Sequence, residues 1–196
     1  MFIKEETDRS RISGALAASL RAGKALPELV FDIDFEALGF EQFDYALSAD
    51  FWSVLQSLAR AAGEREIWLG ALTPSIDWYR ESFSVTPWLR IPITASAADY
   101  WNAINRPFDP RYPDSLLITA ESMFWLSERS SFVVYGDRSS ELCVLAAKKL
   151  VPPVFDEVAR NWKSAGDAAK SFLYKHAPNF ESVAQRLKEC YPTKSR

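Results

Sequence analysis

The sequence is poor in the residues that nucleophilic catalysis and zinc binding most often use. Only one histidine, His176, and two cysteines, Cys143 and Cys190, occur among 196 residues. A Ser/His/Asp or Cys/His mechanism would have to use His176, and structural zinc needs closely spaced ligands that are lacking here. Cys143 lies between Leu142 and Val144, which predicts a small core residue. We therefore predict no catalytic residues, no metal site and no cofactor.

Glycine is also scarce, and long apolar runs are missing. The seven glycines form no phosphate-binding loop, dinucleotide fingerprint or Gly-x-Ser-x-Gly motif. No stretch approaches the roughly 18 apolar residues of a membrane span. The charged segment Lys4–Arg9 stands where a signal peptide would have its apolar core, and two cysteines make no disulfide framework. These features predict a cytoplasmic protein without a membrane partner.

The remaining composition is that of a globular protein, with 48% apolar and 25% charged residues. We predict a single α+β domain over residues 1–196, in which an antiparallel sheet from the central region is packed by N- and C-terminal helices. The predicted helices are Asp8–Arg21, one or two turns in Phe35–Leu47 with a break at Gly39, Ser48–Ala62, Ser96–Ile104, Val154–Val158, Ala168–Leu173 and Phe180–Leu187. The predicted strands are Leu29–Ile33, Ile67–Leu72, Trp88–Ile93 at an edge, Ser115–Thr119, Ser122–Ser127, Ser131–Tyr135 and Glu141–Leu145.

Charge is distributed unevenly, although the net charge is only −3. The segment Ala25–Ala59 contains seven acidic residues and no lysine or arginine, whereas Lys148–Arg196 contains ten basic and five acidic residues. In the acidic segment the carboxylates alternate with large aromatic side chains. The candidate partner-binding residues are Asp32, Asp34, Glu36, Glu41, Asp44, Asp50, Phe40 and Trp52.

This acidic segment has two interpretations. In one, the rings face the core and the carboxylates lie on the opposite, solvent-exposed side. In the other, rings and carboxylates share an outward surface that anchors a basic protein and accelerates its association. The basic C-terminal segment either forms ordinary solvated helix faces, forms a patch for nucleic acid or an anionic membrane, or pairs with the acidic segment. The acidic net charge argues against nucleic acid as the main ligand.

One motif resembles the haloacid-dehalogenase-like phosphatases. In Val30–Asp34 an apolar run leads to Asp32 and Asp34, which lie on one side of an extended chain and suit a hard cation. Thr73 and Gly136–Glu141 resemble later motifs of that family. The sequence departs from the family at Glu36 and has no clear counterpart of its lysine. The resemblance implies an alternative function, an Mg²⁺-dependent phosphatase that uses Asp32 and Asp34.

A second resemblance covers Ser115–Ala147. Within it, the run from Trp125 through Tyr135-Gly136-Asp137-Arg138 to Leu145 combines strand, turn, aromatic-Gly-Asp-Arg and strand. This pattern resembles bacterial immunity proteins that neutralise toxins of contact-dependent or secreted systems. The resemblance implies a non-catalytic cytoplasmic protein whose partner is one cognate toxin. Our leading expectation is such an inhibitor, binding a toxin or another basic protein through the acidic aromatic segment.

Overall fold

The computed structural model describes residues 2–32, 35, 37–148, 162–173 and 179–192. The helices in these residues are α1 (Glu6–Ala17), α2 (Phe43–Ala46), α3 (Ala49–Ala61), α4 (Ile76–Phe83), α5 (Ala97–Ile104), α6 (Leu116–Thr119), α7 (Ala165–Ser171) and α8 (Phe180–Cys190). The strands are β1 (Ala37–Gln42), β2 (Glu66–Thr73), β3 (Trp88–Pro92), β4 (Ser122–Ser127), β5 (Phe132–Asp137) and β6 (Leu142–Ala147).

The six strands form one sheet in the order β1-β6-β5-β4-β2-β3, and every neighbouring pair is antiparallel. Strands β4, β5 and β6 form the predicted meander, because their connections are too short for helical crossovers. Trp125 pairs with Val134 across β4 and β5, and Gly39 pairs with Leu145 across β1 and β6. The predicted α+β class, with an antiparallel sheet and helices from both ends of the chain, is confirmed.

Both faces of the sheet are covered, so the central strands carry apolar residues on both sides. Every residue of β4, β5 and β6 is buried. On the first face, α2, α3, α5 and α6 pack over residues such as Trp125 and Val134. On the second face, α1, α7 and α8 pack over residues such as Phe124 and Tyr135. Alternate residues of one strand therefore enter two separate clusters, as the two-residue repeat of a strand requires.

Short segments cover both edges of the sheet. Phe40 in β1 exchanges two backbone hydrogen bonds of 2.9 Å with Lys163, which precedes α7. At the opposite edge, the backbone N–H of Ile3 donates to the carbonyl oxygen of Trp88 in β3 at 2.9 Å. Gly39 allows the close approach at β1, because a Cβ atom there would lie 2.9 Å from the Cβ atom of Trp162. Covered edges have fewer free backbone groups for unwanted strand pairing.

Local sequence signals position the helices on the first face. The Ser48 hydroxyl accepts from the backbone N–H of Phe51 at 3.3 Å and begins α3, and Gly63 with φ +68° follows the end of that helix. Ser96 and Asp99 form a reciprocal capping box that begins α5. The predicted helix after Ser48 and the predicted helix after Ser96 are both confirmed.

Three predicted elements are wrong, and one helix was not predicted. Leu29–Ile33 is not a strand in its described part, where Phe31 forms only an isolated bridge to Leu20. The segment Phe35–Leu47 was predicted to hold one or two helical turns with a break at Gly39, but Ala37–Gln42 is strand β1 and only Phe43–Ala46 is helical, as α2. Ser115–Thr119 contains α6 in place of a strand, and α4 was missed. The predicted helix Val154–Val158 lies outside the described residues.

Gly70 offers a test of how tightly β2 and β3 pack. A Cβ atom at Gly70 would lie 2.3 Å from the carbonyl oxygen of Pro87 and 2.9 Å from the Cα atom of Trp88, so backbone atoms would have to move. We expect Gly70→Ala to lower the free energy of unfolding by roughly 1–3 kcal/mol, measured by urea denaturation. Gly14→Ala is a matched control at an exposed position of α1, where a Cβ atom would meet nothing within 4 Å. It should stabilise the protein by about 1 kcal/mol. Equal effects of the two substitutions would contradict this packing.

Candidate partner-binding site

The large rings of the acidic segment lie inside the protein. Phe40 is 1% exposed and contacts the ring of Tyr191 at 5.2 Å between centroids. Trp52 is fully buried, stacks on Tyr100 at 5.1 Å and donates its indole N–H to the Ala95 carbonyl oxygen at 2.8 Å. The prediction that Phe40 and Trp52 present their rings to a partner is therefore wrong, because the two-sided core uses both side chains.

Part of the acidic segment is paired within the molecule. Both carboxylate oxygens of Glu28 accept from the guanidinium of Arg186 in α8, at 2.8 and 2.7 Å. This contact lowers the pKa of Glu28. The exposed Asp32 carboxylate lies 3.7 Å from the guanidinium of Arg21. Asp34 and Glu36 lie outside the described residues.

The other predicted carboxylates gather where β1 ends and α2 and α3 begin. Glu41 lies near the end of β1, Asp44 in the first turn of α2 and Asp50 in the first turn of α3. Antiparallel pairing of β1 with β6 adds Glu141, whose carbonyl oxygen accepts from the backbone N–H of Phe43 at 2.9 Å. We call Glu41, Asp44, Asp50 and Glu141 the acidic rim.

None of the four rim carboxylates forms an ion pair with any residue in the described part of the chain. Asp44, Asp50 and Glu141 are exposed, and Glu41 is half-buried. Several other surface carboxylates do have cationic partners, as Asp8 does with Arg90 at 3.1 Å. The negative field of the rim is therefore weakly neutralised by the protein itself.

One cation, Arg138, stands beside the rim and is held by backbone groups. Its guanidinium donates to the carbonyl oxygens of Ala120 at 3.0 Å and Leu117 at 2.7 Å, and it lies 5.1 Å from the centroid of the Phe43 ring. Arg138 lines a small cleft of about 230 Å³ together with Asp44 and others. Because three contacts fix the guanidinium, Arg138 connects α6 to the rim without forming an ion pair there.

Two of the rim carboxylates affect the pKa of a nearby tyrosine. Tyr45 is the half-buried ring of the acidic segment and contacts Phe51 at 5.7 Å. Burial raises the pKa of Tyr45, and the negative charges of Glu41 and Asp50 raise it further. Burial together with Glu41 also raises the pKa of the Cys143 thiol, in agreement with its interpretation as a core residue.

Glu141 was not among the candidate residues predicted from the sequence. Its backbone has φ +57°, in the left-handed region that residues other than glycine rarely occupy. This conformation lets the chain leave the β5–β6 turn beside α2. The only signal in the sequence was the polar turn Gly136–Glu141, and the neighbourhood of Glu141 and Asp44 could not be foreseen while Phe35–Leu47 was predicted to be helical.

Comparisons with protein-family models, with curated proteins and with solved structures find no match. Within the described residues, no group of three or more His, Cys, Asp and Glu side chains is arranged to hold a metal ion. The same part of the chain contains no helix with the length and apolar character needed to cross a bilayer. A function can therefore be proposed only from the geometry of the side chains.

Exposed apolar side chains lie apart from the acidic segment. The large ones in the described residues are Trp78 in α4, Trp101 in α5, Tyr112 in the following loop and Ile118 in α6. Ile118 is next in sequence to Leu117, whose carbonyl oxygen holds Arg138. The guanidinium of Arg138, which stands beside the rim, thus contacts the residue next to the exposed Ile118 of α6.

The pKa of Tyr45 tests the arrangement of the rim. A nearby carboxylate disfavours the phenolate, so Glu41→Gln with Asp50→Asn should lower the pKa of Tyr45. The pKa should stay above the ordinary value of a tyrosine, because burial is the larger cause of the rise and remains. The measurement is a pH titration of the ¹³Cζ resonances of labelled tyrosines. Glu181→Gln, remote on α8, should leave the pKa of Tyr45 unchanged; an unchanged pKa in the double variant would contradict the proximity of these carboxylates.

Proposed function

We propose that the chain is a non-catalytic binding protein that uses the acidic rim to bind a basic protein, and that its partner is a bacterial toxin domain, which it neutralises as an immunity protein. The observation that carries this proposal is the group of four carboxylates on adjacent elements, none of which is ion-paired in the described residues. Like charges held together cost stability and are retained at sites that bind an opposite charge.

The rim is suited to rapid and selective association. Its carboxylates extend from backbone that is anchored by buried rings, since Phe43 and Phe51 are at most 1% exposed. A fixed negative surface attracts a positively charged cleft over distances comparable with the Debye length, about 8 Å at physiological salt. Enzymes that cleave nucleic acid need such a positive cleft to hold phosphates, which makes a nucleic-acid-degrading toxin a suitable basic partner.

The described structure gives no support to the alternative of an Mg²⁺-dependent phosphatase. In the family that this motif resembles, an apolar strand delivers the two aspartates. Here Phe31 forms only an isolated bridge, and the exposed Asp32 lies beside Arg21. We therefore propose binding alone.

The proposal is tested by reversing charge at the rim. The tagged protein is used to capture its partner from cells that produce both proteins, and the partner is then purified. We expect Asp44→Lys, Asp50→Lys and Glu141→Lys together to reduce the association rate constant at low salt by about 10- to 100-fold and to flatten its salt dependence. The measurement is stopped-flow or surface-plasmon-resonance kinetics at several salt concentrations.

The matched control changes the net charge by the same amount elsewhere. Glu5, Glu81 and Glu181 are exposed and form no ion pair with described residues, and Glu181 occupies the first turn of α8 as Asp50 does that of α3. Their joint reversal to Lys should slow association much less. Equal slowing by both variants would show that only total charge matters and would reject the rim as the binding site.

Neutralisation of a toxin has its own readout. When expressed alone in a bacterial host, the captured partner should stop growth, and co-expression of the chain should restore it. The rim variant should restore growth poorly, while the control variant should restore it fully. If the captured partner is harmless to the host, the proposed immunity function is rejected and only the proposed binding function remains.

A further inference from the structure

A cleft of about 430 Å³ opens on the second face of the sheet, which α1 covers, whereas α2 and α3 of the acidic rim cover the first face. One wall is formed by the end of α1 and the loop that follows it. The other wall is formed by the end of β2 and by Ser122 and Tyr135 of β4 and β5. This volume lies within the range of about 300–1,000 Å³ in which proteins bind small molecules.

The two charged residues that line this cleft are both cationic. Arg21 and Lys24 line it, and none of its described lining residues is Asp or Glu. Lys24 has no ion-pair partner among residues 2–32, 35, 37–148, 162–173 and 179–192. Arg21 has one partner, Asp32, at 3.7 Å, and both side chains are about half exposed. Both cations thus remain available to an anion at the mouth of the cleft.

Hydroxyl groups and an apolar wall complete the lining. Thr73, Ser122 and Tyr135 contribute hydroxyl groups, and Tyr135 is only 4% exposed. Burial, with the nearby charge of Asp137, raises the pKa of Tyr135 to about 12, and a hydrogen bond between the Tyr135 and Ser122 side chains opposes this rise. The apolar wall consists mainly of Leu16, Leu20, Val30 and Leu72.

Gly23 shapes the loop that carries the two cations. It has φ +69°, and a Cβ atom there would meet nothing within 4 Å, so glycine serves the backbone conformation rather than close packing. The backbone N–H of Lys24 donates to the carbonyl oxygen of Arg21 at 3.2 Å and closes the turn. The turn therefore places both cationic residues around one opening.

From this combination we infer that the cleft binds a small organic oxyanion, a phosphate monoester or carboxylate attached to a short apolar group. Arg21 and Lys24 bind the oxyanion, the hydroxyl groups of Thr73, Ser122 and Tyr135 bind its polar atoms, and the leucine-rich wall receives the apolar group. A cation pair alone would bind any anion weakly; the apolar wall adds a preference for the organic group.

The inference is tested with four probes that separate the contribution of the two cations from that of the apolar wall. Phenyl phosphate, benzoate, phenol and inorganic phosphate are titrated into the ¹⁵N-labelled full chain, with Kd measured from amide chemical shifts. We expect phenyl phosphate or benzoate to bind at least about tenfold more tightly than phenol and inorganic phosphate, with shifts centred on Gly23 and Ser122. Equal affinities of all four probes, or shifts centred away from this cleft, would overturn the inference.

Substitutions measure how much the charges of Arg21 and Lys24 contribute to probe binding. Arg21→Gln with Lys24→Gln should weaken the binding of the preferred probe about tenfold or more, and Lys24→Gln alone, which leaves the Arg21 contact with Asp32 intact, should weaken it by a smaller factor. The control Arg65→Gln with Lys170→Gln removes the same charge at exposed positions outside the cleft. Unchanged binding in the cleft variants, or equal weakening in the control, would overturn the inference.

Discussion

The burial of the central sheet on both faces is the constraint on which the rest of the structure depends. A sheet covered on one side needs one set of apolar side chains, but β4, β5 and β6 need two, and every residue of these strands is buried. The 27 aromatic residues of the sequence largely meet this need, since Trp52 fills the first face and Phe40 the second. Apart from the half-buried Tyr45, the described rings of the acidic segment are thereby withdrawn from the surface, and its described carboxylates are exposed or half-buried.

The same constraint explains which features could be predicted from the sequence. Elements with strong local signals were identified, among them the Ser48-capped helix, β2 and the meander from Ser122 to Leu145. Strand β1 could not be recognised, because it is defined by pairing with β6, about a hundred residues later in the chain. Its apolar side chains, spaced for two different faces, gave an ambiguous local pattern.

Of the candidate residues, the exposure of the described carboxylates could be predicted from the sequence, and the burial of the rings could not. Glu41, Asp44 and Asp50 are exposed or half-buried, as expected of a charged recognition surface, whereas Phe40 and Trp52 are in the core. Glu141 lies in the rim because β1 pairs with β6, and no local sequence pattern predicts this long-range pairing. Neutralisation of the acidic segment by the C-terminal helices occurs at Glu28 alone among its described carboxylates, through Arg186.

Because the rim has no exposed rings, it can bind the proposed basic partner tightly only if other side chains contribute apolar contacts. Electrostatic complementarity mainly raises the association rate, while long-lived complexes depend on desolvated apolar or aromatic anchors. In the described surface, Ile118 of α6 is such an apolar side chain, and Arg138 joins α6 to the rim through Leu117 and Phe43. A basic partner that also contributes an apolar contact at α6 would therefore dissociate more slowly than one held by the carboxylates alone. Salt would then lower its association rate constant much more than it would change its dissociation rate constant.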